Sequence, residues 1–356
     1  MTTDLIGLSA EEMAREVEAM GEKPFRAKQL WHWIHNRGVC DFSEMTSLAK
    51  GLRAALAEKG YVVGRPETLK ELNSSDGTRK WLFRFADGKE IETVYIPEED
   101  RGAVCISTQA GCPNKCAFCR TGSQGFQRNL SAAEIVQQFA AAKDSYKEWG
   151  TPPAGESRLL SNIVVMGMGE PLLNYENTKK ALQIIMHPDG MAISKRRITL
   201  STSGIAPLIP NVARDLGVKL AISLHAPTDE VRDRIMPINR KYPLSELMAA
   251  CREFQAHEGR LQYITMEYVM LDGVNDSEAD ARELMRLVKG LAVKFNLIPF
   301  NEWEGSGFKC SPRKRIERFA EILSSKNYAA PIRSSRGKDI MAACGQLKSA
   351  AQKKEI

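Results

Sequence analysis

The first sixty residues carry apolar side chains at helical spacing. Ser9 and Glu12 form a capping-box pattern, and Met13, Val17 and Met20 follow on one helical face. A second apolar series begins after Pro24 and leaves lysine and arginine side chains on its other face. The pattern predicts a helical domain over residues 1–60, with a basic face that is either solvated or in contact with a partner.

Alternating apolar and polar positions replace the helical pattern over residues 61–97. The segments TLKELN, RKWLFRF and EIETVYIP are joined by turns that each contain Asp-Gly, a dipeptide typical of tight hairpins. This pattern predicts an antiparallel β extension that links the helical domain to the rest of the chain.

Strand-like apolar segments alternate with amphipathic helical segments over residues 98–347. The candidate strands are AVCIS, SNIVVMG, RRITLS, VKLAIS, YITMEYVM and KFNLIPF, with PIRSS as a candidate for one more. This rhythm predicts an α/β fold with a parallel sheet, either curled into a full or partial barrel or open and doubly wound. In both architectures ligands bind at the carboxyl ends of the strands. A polar tail over residues 348–356 is expected to fray.

The composition, with 43% hydrophobic and 26% charged residues, is typical of a folded, soluble protein. No apolar run approaches the roughly 18 residues that a membrane span needs, and the start lacks the order of a signal peptide. We therefore expect a cytoplasmic protein with no membrane partner. The net charge of +6 fits a phosphate-bearing partner or simply a slightly basic enzyme.

Cysteine placement is the strongest chemical signal in the chain. Cys112, Cys116 and Cys119 have C-x3-C-x2-C spacing in the loop after the first parallel strand, so one loop can surround a metal centre. Zinc is one interpretation, with Cys105 or a distant cysteine as the fourth ligand. Three clustered thiolates also suit an iron–sulfur cluster with one open iron.

The motif C-x3-C-x-F-C, with Phe118 before its last cysteine, resembles that of the radical S-adenosylmethionine (radical SAM) superfamily. A closer resemblance, to the RlmN family, spans about residues 92–347 and rests on the segments ETVYIPEEDR, QGFQRNL, GMGEPLLNYEN, RRITLSTSG, AISLHAP, LIPFNEW and RGKDIMAACGQL. That family methylates C2 of adenine in 23S ribosomal RNA and in tRNA. The resemblance implies a partial (β/α)6 radical SAM barrel over residues 98–347 and an RNA-binding role for the helical domain.

The resemblance also implies the cofactors. Cys112, Cys116 and Cys119 would hold one four-iron four-sulfur cluster, whose open iron binds S-adenosylmethionine and cleaves it to a 5′-deoxyadenosyl radical after one-electron reduction. Two molecules of S-adenosylmethionine would be consumed per methylation. The implied cofactor contacts are Gly169, Glu170, Ser201, Ser223, Leu224, His225 and Asn301.

Two of these contacts also have ordinary structural interpretations. The glycines Gly167 and Gly169 in GMGEP indicate either close approach of a ligand or a tight turn before a capped helix. A lone histidine such as His225 is more often a buried structural residue.

Direct attack of adenine C2 on a sulfonium methyl group is unfavourable because that carbon is electrophilic. The resemblance implies instead that Cys344 is methylated first and that its S-methylene radical then adds to C2, which links the RNA to the protein. Glu92 matches the residue that accepts the C2 proton, although it could also be a surface carboxylate on an edge strand. Cys105 would then attack the sulfur of Cys344, giving 2-methyladenine and a disulfide, and should lie where ionisation is favoured.

The expected partners are 23S ribosomal RNA, tRNA and an electron donor such as flavodoxin with its reductase, and we expect a monomer. The candidate phosphate contacts are Arg120, Arg128, the run Lys195–Arg197 and the run Arg313–Arg315, for each of which a solvated face is the alternative. The other cysteines, Cys40, Cys251 and Cys310, match no motif and are interpreted as incidental.

Two alternative functions remain open from the sequence. A Cfr-type enzyme would use the same machinery to methylate C8 of adenine, although QGFQRNL favours the C2 enzymes. A zinc-stabilised RNA-binding protein without enzymatic activity would explain the cysteine loop, but it would leave GMGEP, Cys105 and Cys344 without a role.

Overall fold

The computed structural model describes residues 3–99, 101–150, 158–258 and 263–348, so the predicted tail lies outside the described residues after Lys348. The amino-terminal unit is helical. Its elements are β1 (Thr3–Asp4), α1 (Ala10–Ala19), α2 (Phe25–Trp31), a π-helical turn (His32–Asn36), α3 (Lys50–Glu58) and β2 (Tyr61–Val62). Strands β1 and β2 pair in parallel, and the predicted capping box of Ser9 and Glu12 is present at the start of α1.

Strands make up the centre of the molecule. They are β3 (Glu67–Asn73), β4 (Arg79–Arg84), β5 (Glu90–Pro97), β6 (Gly102–Cys105), β7 (Gln109–Gly111), β8 (Phe126–Asn129), β9 (Leu160–Val165), β10 (Ile198–Thr202), β11 (Lys219–Ser223), β12 (Ile264–Met270) and β13 (Val293–Pro299). Every segment predicted as a main strand forms one. Arg196 and Arg197, the start of the predicted RRITLS strand, instead lie in the 3-10 turn Lys195–Arg197 that leads into β10.

The helices that follow the amino-terminal unit pack around this sheet. They are α4 (Arg120–Ser123), α5 (Ala132–Tyr146), α6 (Tyr175–Met186), α7 (Ile209–Asp215), α8 (Asp229–Ile235), α9 (Leu244–Glu258), α10 (Glu278–Leu287) and α11 (Arg313–Ser324). Capping boxes start two of them, with Ser131 and Glu134 at α5 and Ser277 and Asp280 at α10. Apolar side chains of these helices, such as Phe139 and Leu284, are fully buried in the core.

The order of the strands identifies the architecture. Over the described residues, the main sheet runs β13-β12-β11-β10-β9-β6-β5-β4-β3, with parallel pairing from β13 to β6 and antiparallel pairing from β6 to β3. The order of the parallel strands never reverses, as it would in a doubly wound sheet, so every crossover runs in the same direction. The partial (β/α)6 barrel with an antiparallel extension is therefore confirmed.

The edge beyond β13 differs from the prediction. The segment PIRSS runs beside β13, but it forms only an isolated parallel bridge between Leu297 and Ile332 rather than a strand. Pro331 has no N–H group to donate to the ladder, which explains why regular pairing stops there. No helix in the described part of the chain is long and apolar enough to cross a membrane.

Candidate active site

The three clustered cysteines line one cavity at the carboxyl ends of the barrel strands. We call it the carboxyl-end cavity. It is bounded on one side by Cys112, Cys116 and Cys119, and on the other by the strand-end residues Gly167, Gly169, Glu170, Ser201–Ser203, Ser223 and Asn301. The loop folds tightly because Gly111 has φ +77°, and a Cβ there would lie 1.9 Å from the carbonyl oxygen of Gly125.

Burial raises the pKa of all three clustered thiols, that of Cys112 to about 12. The charges of Cys119 and Cys112 raise the pKa of Cys116 further. A positively charged metal centre would remove this penalty by stabilising the thiolates, so the donor set fits the implied cluster. Among the described residues, no group of three or more His, Cys, Asp and Glu side chains is already arranged to hold a single metal ion, so the fit rests on the spacing and burial of the three thiols rather than on a preformed set of ligands.

The glycines of GMGEP allow close packing between two strand ends. A Cβ at Gly167 would lie 2.6 Å from the hydroxyl of Ser107, and one at Gly169, where φ is +104°, would lie 2.6 Å from Cβ of Gln109. Both glycines line the carboxyl-end cavity, and the close approach seen at each is made by the strand end that contains Ser107 and Gln109. The alternative of a tight turn before a capped helix also holds, because the next residue, Glu170, caps the 3-10 helix Pro171–Asn174.

Glu170 ties three parts of the cavity wall together. Its Oε1 accepts hydrogen bonds from Leu172 N (3.0 Å) and Thr202 Oγ1 (2.8 Å), and its Oε2 accepts from Ser203 N (2.7 Å) and Asn114 Nδ2 (3.5 Å). Burial raises its pKa against the effect of these donors. An ammonium group of a ligand would have to replace the long Asn114 contact, because both oxygens are otherwise occupied.

The implied contacts on β10 and β11 divide into two groups. Ser201, Ser223 and His225 line the carboxyl-end cavity, whereas Leu224 is fully buried and does not line it. The ring of His225 accepts a hydrogen bond from Val269 N at Nδ1 (3.0 Å) and packs edge-on against Phe118. Burial lowers its pKa to about 3, so the ring is neutral.

Asn301 carries an unsatisfied acceptor in the same wall. Within the described structure its buried Oδ1 has no hydrogen-bond partner, and the residue lines the carboxyl-end cavity. An unpartnered buried amide oxygen is costly unless a ligand donates to it. The site therefore fits a polar ligand such as S-adenosylmethionine, whose amino and hydroxyl groups are donors.

The sequence prediction missed Arg232, although it holds the cavity wall together. The guanidinium is fully buried and donates to the carbonyl oxygens of Leu224 (3.0 Å), Ser203 (2.6 Å) and Ser223 (3.1 Å). Burial lowers its pKa to about 10. Arg232 lies on a short helix among other charged residues, so its burial had no local signal.

Cys344 lies on a loop that is held in place by hydrogen bonds from segments distant in the sequence. Arg120 N donates to Gly345 O (2.8 Å), and Thr121 Oγ1 donates to Leu347 O (2.7 Å), which joins this loop to the cysteine loop. From the other side, Lys80 Nζ donates to Met341 O (3.0 Å). The Cys344 side chain is exposed where it lines cavities of the protein. The residues around it nevertheless keep water from the thiol, and this desolvation raises its pKa.

A second cavity meets the first at Cys344. This amino-end cavity extends from Cys105 and Cys344 to the starts of β10–β13, and a smaller cavity also contains both thiols. The structure thus brings together two cysteines from opposite ends of the sequence. The expectation that Cys105 lies where ionisation is favoured is wrong for this conformation, because burial and the nearby Cys344 strongly raise its pKa.

Glu92 is buried in the sheet, so the alternative of a surface carboxylate on an edge strand is wrong. It pairs with Lys80 (2.8 Å), and its Oε2 accepts from Lys348 N (2.8 Å). Burial raises its pKa against the opposing charge of Lys80. Glu92 therefore holds the Cys344 loop through Lys348 N, and it does not line the cavities described above.

The candidate phosphate contacts differ in their availability. Arg128 pairs with Asp87 and Glu134, and Arg315 pairs with Asp272 and Asp276. Arg313 pairs with Glu317, whereas Lys195–Arg197 are exposed and Arg197 lines the amino-end cavity. Arg120 serves the site through its backbone contact to the Cys344 loop.

The partial barrel with three cysteines after its first strand defines a radical SAM protein. The radical SAM superfamily model matches residues 106–285, and a model of the ribosomal RNA large subunit methyltransferase N-terminal domain matches residues 3–62. The crystal structure of a radical SAM methyltransferase from Sphaerobacter thermophilus superposes with a TM-score of 0.90 at 45% identity, covering 98% of this chain and 99% of that one.

Curated relatives define the family more narrowly. The dual-specificity RNA methyltransferase RlmN of Rhodospirillum rubrum is 62% identical over 97% of this chain and 80% of its own length. RlmN of Paramagnetospirillum magneticum is 61% identical over 99% of this chain and 77% of its own. The chain therefore belongs to the RlmN family of radical SAM RNA methyltransferases.

Proposed function

We propose that the chain methylates C2 of adenine in 23S ribosomal RNA and in tRNA. The observation that carries this proposal is the position of Cys344, which lines both the carboxyl-end and the amino-end cavity. A thiol at such a boundary can accept a methyl group on one side and present it to a base on the other. The second thiol, Cys105, lies in the cavity where the base would bind.

The carboxyl-end cavity would hold the cofactors. Cys112, Cys116 and Cys119 would bind the four-iron four-sulfur cluster, and Asn301 and the ends of β9–β11 would contact S-adenosylmethionine. When bound, these groups supply a methyl group and, after one-electron reduction by a flavodoxin-type donor, a hydrogen-abstracting 5′-deoxyadenosyl radical, with two S-adenosylmethionine molecules used per cycle.

The chain's own residues would then act in sequence. Cys344 Sγ carries the methyl group. That methyl group loses one hydrogen atom, and the remaining methylene forms a bond to adenine C2. The adduct also gives up its unpaired electron, for which the oxidised cluster would be the acceptor, and Glu92 accepts the C2 proton, which requires the hydrogen bond from Lys348 N to open. The Cys105 thiolate attacks Sγ of Cys344, so the sulfur–carbon bond breaks as the disulfide forms and the methylene takes up a proton. RNA entry must therefore lower the pKa of Cys105.

The same proposal covers the rest of the molecule. Residues 1–60 form an accessory RNA-binding domain, residues 61–97 form the β extension, and residues 98–347 form the catalytic barrel. The enzyme acts as a monomer in the cytoplasm, where both RNAs are found. The match to the N-terminal domain model over residues 3–62 supports the first of these assignments.

Anaerobic turnover of the reconstituted protein tests the proposal. The assay supplies S-adenosylmethionine, a reductant and either an unmodified 23S fragment or tRNA, and nucleosides are compared by mass spectrometry with 2-methyl- and 8-methyladenosine. We expect 2-methyladenosine in both RNAs. The 8-methyl product would indicate the Cfr-type reaction, and a colourless, air-stable protein with zinc and no product would indicate the RNA-binding alternative.

A further inference from the structure

The amino-end cavity opens on the face of the barrel opposite the three cysteines. Its lining includes Thr199, Lys219, Thr265 and Lys294, each the first or second residue of its strand. The same cavity reaches Cys344 at its inner end. It therefore connects the reactive thiol with the amino-terminal edge of the sheet, whereas the carboxyl-end cavity lies at the other edge.

Strand register places two lysines around β12 at this opening. Lys219 pairs with Thr199, and Lys294 pairs with Thr265, while Thr265 in turn pairs with Ala221 on the same strand as Lys219. Both lysines thus lie near the start of their strands, with the strand of Thr265 between them. Both side chains are exposed, and within the described residues neither has an acidic partner in ion-pair distance.

Positive charge dominates the opening. The other basic residues that line it are Arg101, Arg197, Arg333 and Arg336. The carboxylates of its lining are Glu98, which pairs with Arg101, and Glu267, which is buried near Cys344 and accepts a hydrogen bond from Asn296 (2.9 Å). Ser334 and Ser335 add hydroxyl groups between the arginines. The opening is therefore cationic and polar, whereas Cys105, Ala342, Ala343 and Cys344 at the inner end are uncharged or apolar.

The two lysines also affect each other. Partial burial and the charges of Lys294 and Arg101 lower the pKa of Lys219. The two positive charges repel each other, and an anion bound between them would offset this repulsion because it attracts both. Phosphate groups are the anions that RNA offers at regular spacing along its strand.

We propose that Lys219 and Lys294 bind the phosphate backbone beside the target adenosine, so that RNA enters the barrel from the amino ends of the strands. This inference rests on the proposed function and goes beyond it by naming the face and the residues. Cofactor and RNA would then reach Cys344 from opposite edges of the same sheet. Phosphate contacts of this kind position a strand without reading its sequence, which suits an enzyme with two RNA substrates.

Salt-dependent RNA binding by the full chain tests the inference. The probe is a fluorescent RNA stem-loop with an unmodified adenosine in its loop, and its Kd is measured by anisotropy over a range of KCl concentrations. The Lys219→Gln/Lys294→Gln variant should bind about tenfold or more weakly at low salt. Its log–log salt slope should be smaller by about 1.4 to 1.8, because each lost phosphate contact removes roughly 0.7 to 0.9.

Matched variants separate this role from general effects. Lys289→Gln/Lys326→Gln removes the same charge from exposed lysines outside the amino-end cavity and should keep the wild-type slope. Lys219→Arg/Lys294→Arg keeps the charge and should restore most of the affinity. Equal slopes for the two glutamine variants, or no RNA binding by the wild type, would overturn the inference.

The same variants distinguish failure of the inference from failure of the proposed function. Methylation of Cys344 in the absence of RNA, followed by protein mass, should proceed equally in the wild type and in the Lys219→Gln/Lys294→Gln variant. If the lysines control RNA binding but no 2-methyladenosine forms, the entry face stands and the proposed reaction fails. If 2-methyladenosine forms and both glutamine variants bind RNA alike, the reaction stands and the entry face is wrong.

Discussion

At the scale of single residues, the most informative feature is the pair of thiols that shares two cavities. Cys105 ends β6, and Cys344 lies on the carboxyl-terminal loop, so neither predicts the other from sequence spacing. Both thiols are neutral in this conformation because desolvation raises their pKa values. A reaction that uses either of them as a thiolate must therefore first lower its pKa.

Replacing Cys105 separates adduct formation from adduct resolution. The Cys105→Ala variant should accumulate a covalent complex between RNA and Cys344, because the adduct forms before the second thiol is needed. Denaturing gel electrophoresis and mass mapping of the modified peptide measure this complex. Cys251→Ala, which removes another buried thiol that lines none of these cavities, should turn over normally. Normal turnover of Cys105→Ala would contradict the resolving role.

Replacing one cysteine of the loop should abolish the metal centre. Cys112→Ala leaves two of the three clustered thiols, and we expect loss of the brown colour, of bound iron and of all methylation. Iron analysis and visible absorbance after anaerobic reconstitution measure the effect. Cys310→Ala, outside the loop, serves as the control and should keep both iron and activity. A Cys112→Ala protein that retains iron and activity would refute the radical interpretation.

At the scale of elements, the β extension acts as a support for the Cys344 loop. Ser74 in the β3–β4 turn donates to Asp339, and Asp76 accepts from Gly337 N (2.9 Å). Lys80 on β4 and Glu92 on β5 then bind the loop further along, at Met341 O and Lys348 N. The antiparallel strands therefore contribute to the active site although they lie outside the parallel barrel.

The buried pair of Lys80 and Glu92 gives this support a measurable energy. Lys80→Met should lower the free energy of unfolding by about 3 kcal/mol, because it leaves a buried carboxylate without its partner. Lys80→Met/Glu92→Gln removes both charges and should lower the free energy of unfolding by clearly less than Lys80→Met does. Urea unfolding of the metal-free protein at neutral pH measures both. A double variant that is as unstable as the single one would show that the charges are not coupled.

Sequence patterns predict the elements well where the signal is local. The capping box at Ser9 and the alternation in β3–β5 depend on neighbouring residues, and the structure shows that box and those strands. PIRSS was ambiguous because its residues favour an extended chain while Pro331 prevents regular pairing. The choice between barrel and doubly wound sheet depends on strand order, which spacing does not encode.

The site was less predictable because its contacts join distant segments. The hydrogen bond from Lys348 N to Glu92 spans 256 residues of sequence, and Arg232 reaches the ends of two strands that precede it. Resemblance to a family, rather than any spacing, pointed to Cys344 and Cys105. Glu267 carried a signal that was available, since a charged residue inside the apolar strand ITMEYVM indicates a cavity or a buried partner.

At the scale of the whole molecule, the helical unit is fixed directly to the barrel. Asp4 accepts a hydrogen bond from Gln137 on α5 (2.6 Å), and Glu12 pairs with Lys180 on α6 (2.5 Å). Asn36 donates to Gly190 O (3.4 Å) in the segment between α6 and β10. Any RNA held by the helical unit would therefore keep a defined position relative to the barrel.

His35 lies at this junction and is fully buried against Trp31, with ring centroids 4.0 Å apart. Among the described residues, neither ring nitrogen has a hydrogen-bond partner. Burial, together with the charges of Arg65 and His187, lowers its pKa to about 3. The folded protein therefore keeps this ring neutral at pH values where the unfolded chain, with a pKa near 6.5, takes up a proton.

This difference makes the fold sensitive to acid. Because the unfolded state binds the extra proton, stability contributed by neutral His35 is present above about pH 6.5 and is lost as the pH falls toward 3, by about 1.4 kcal/mol per pH unit. In His35→Leu, the free energy of unfolding should depend less steeply on pH between 6 and 4, by about that slope. Urea titrations at several pH values measure it, with exposed His257→Gln as a control that should match the wild type. An unchanged slope in His35→Leu would mean that the junction opens enough for His35 to be protonated without unfolding.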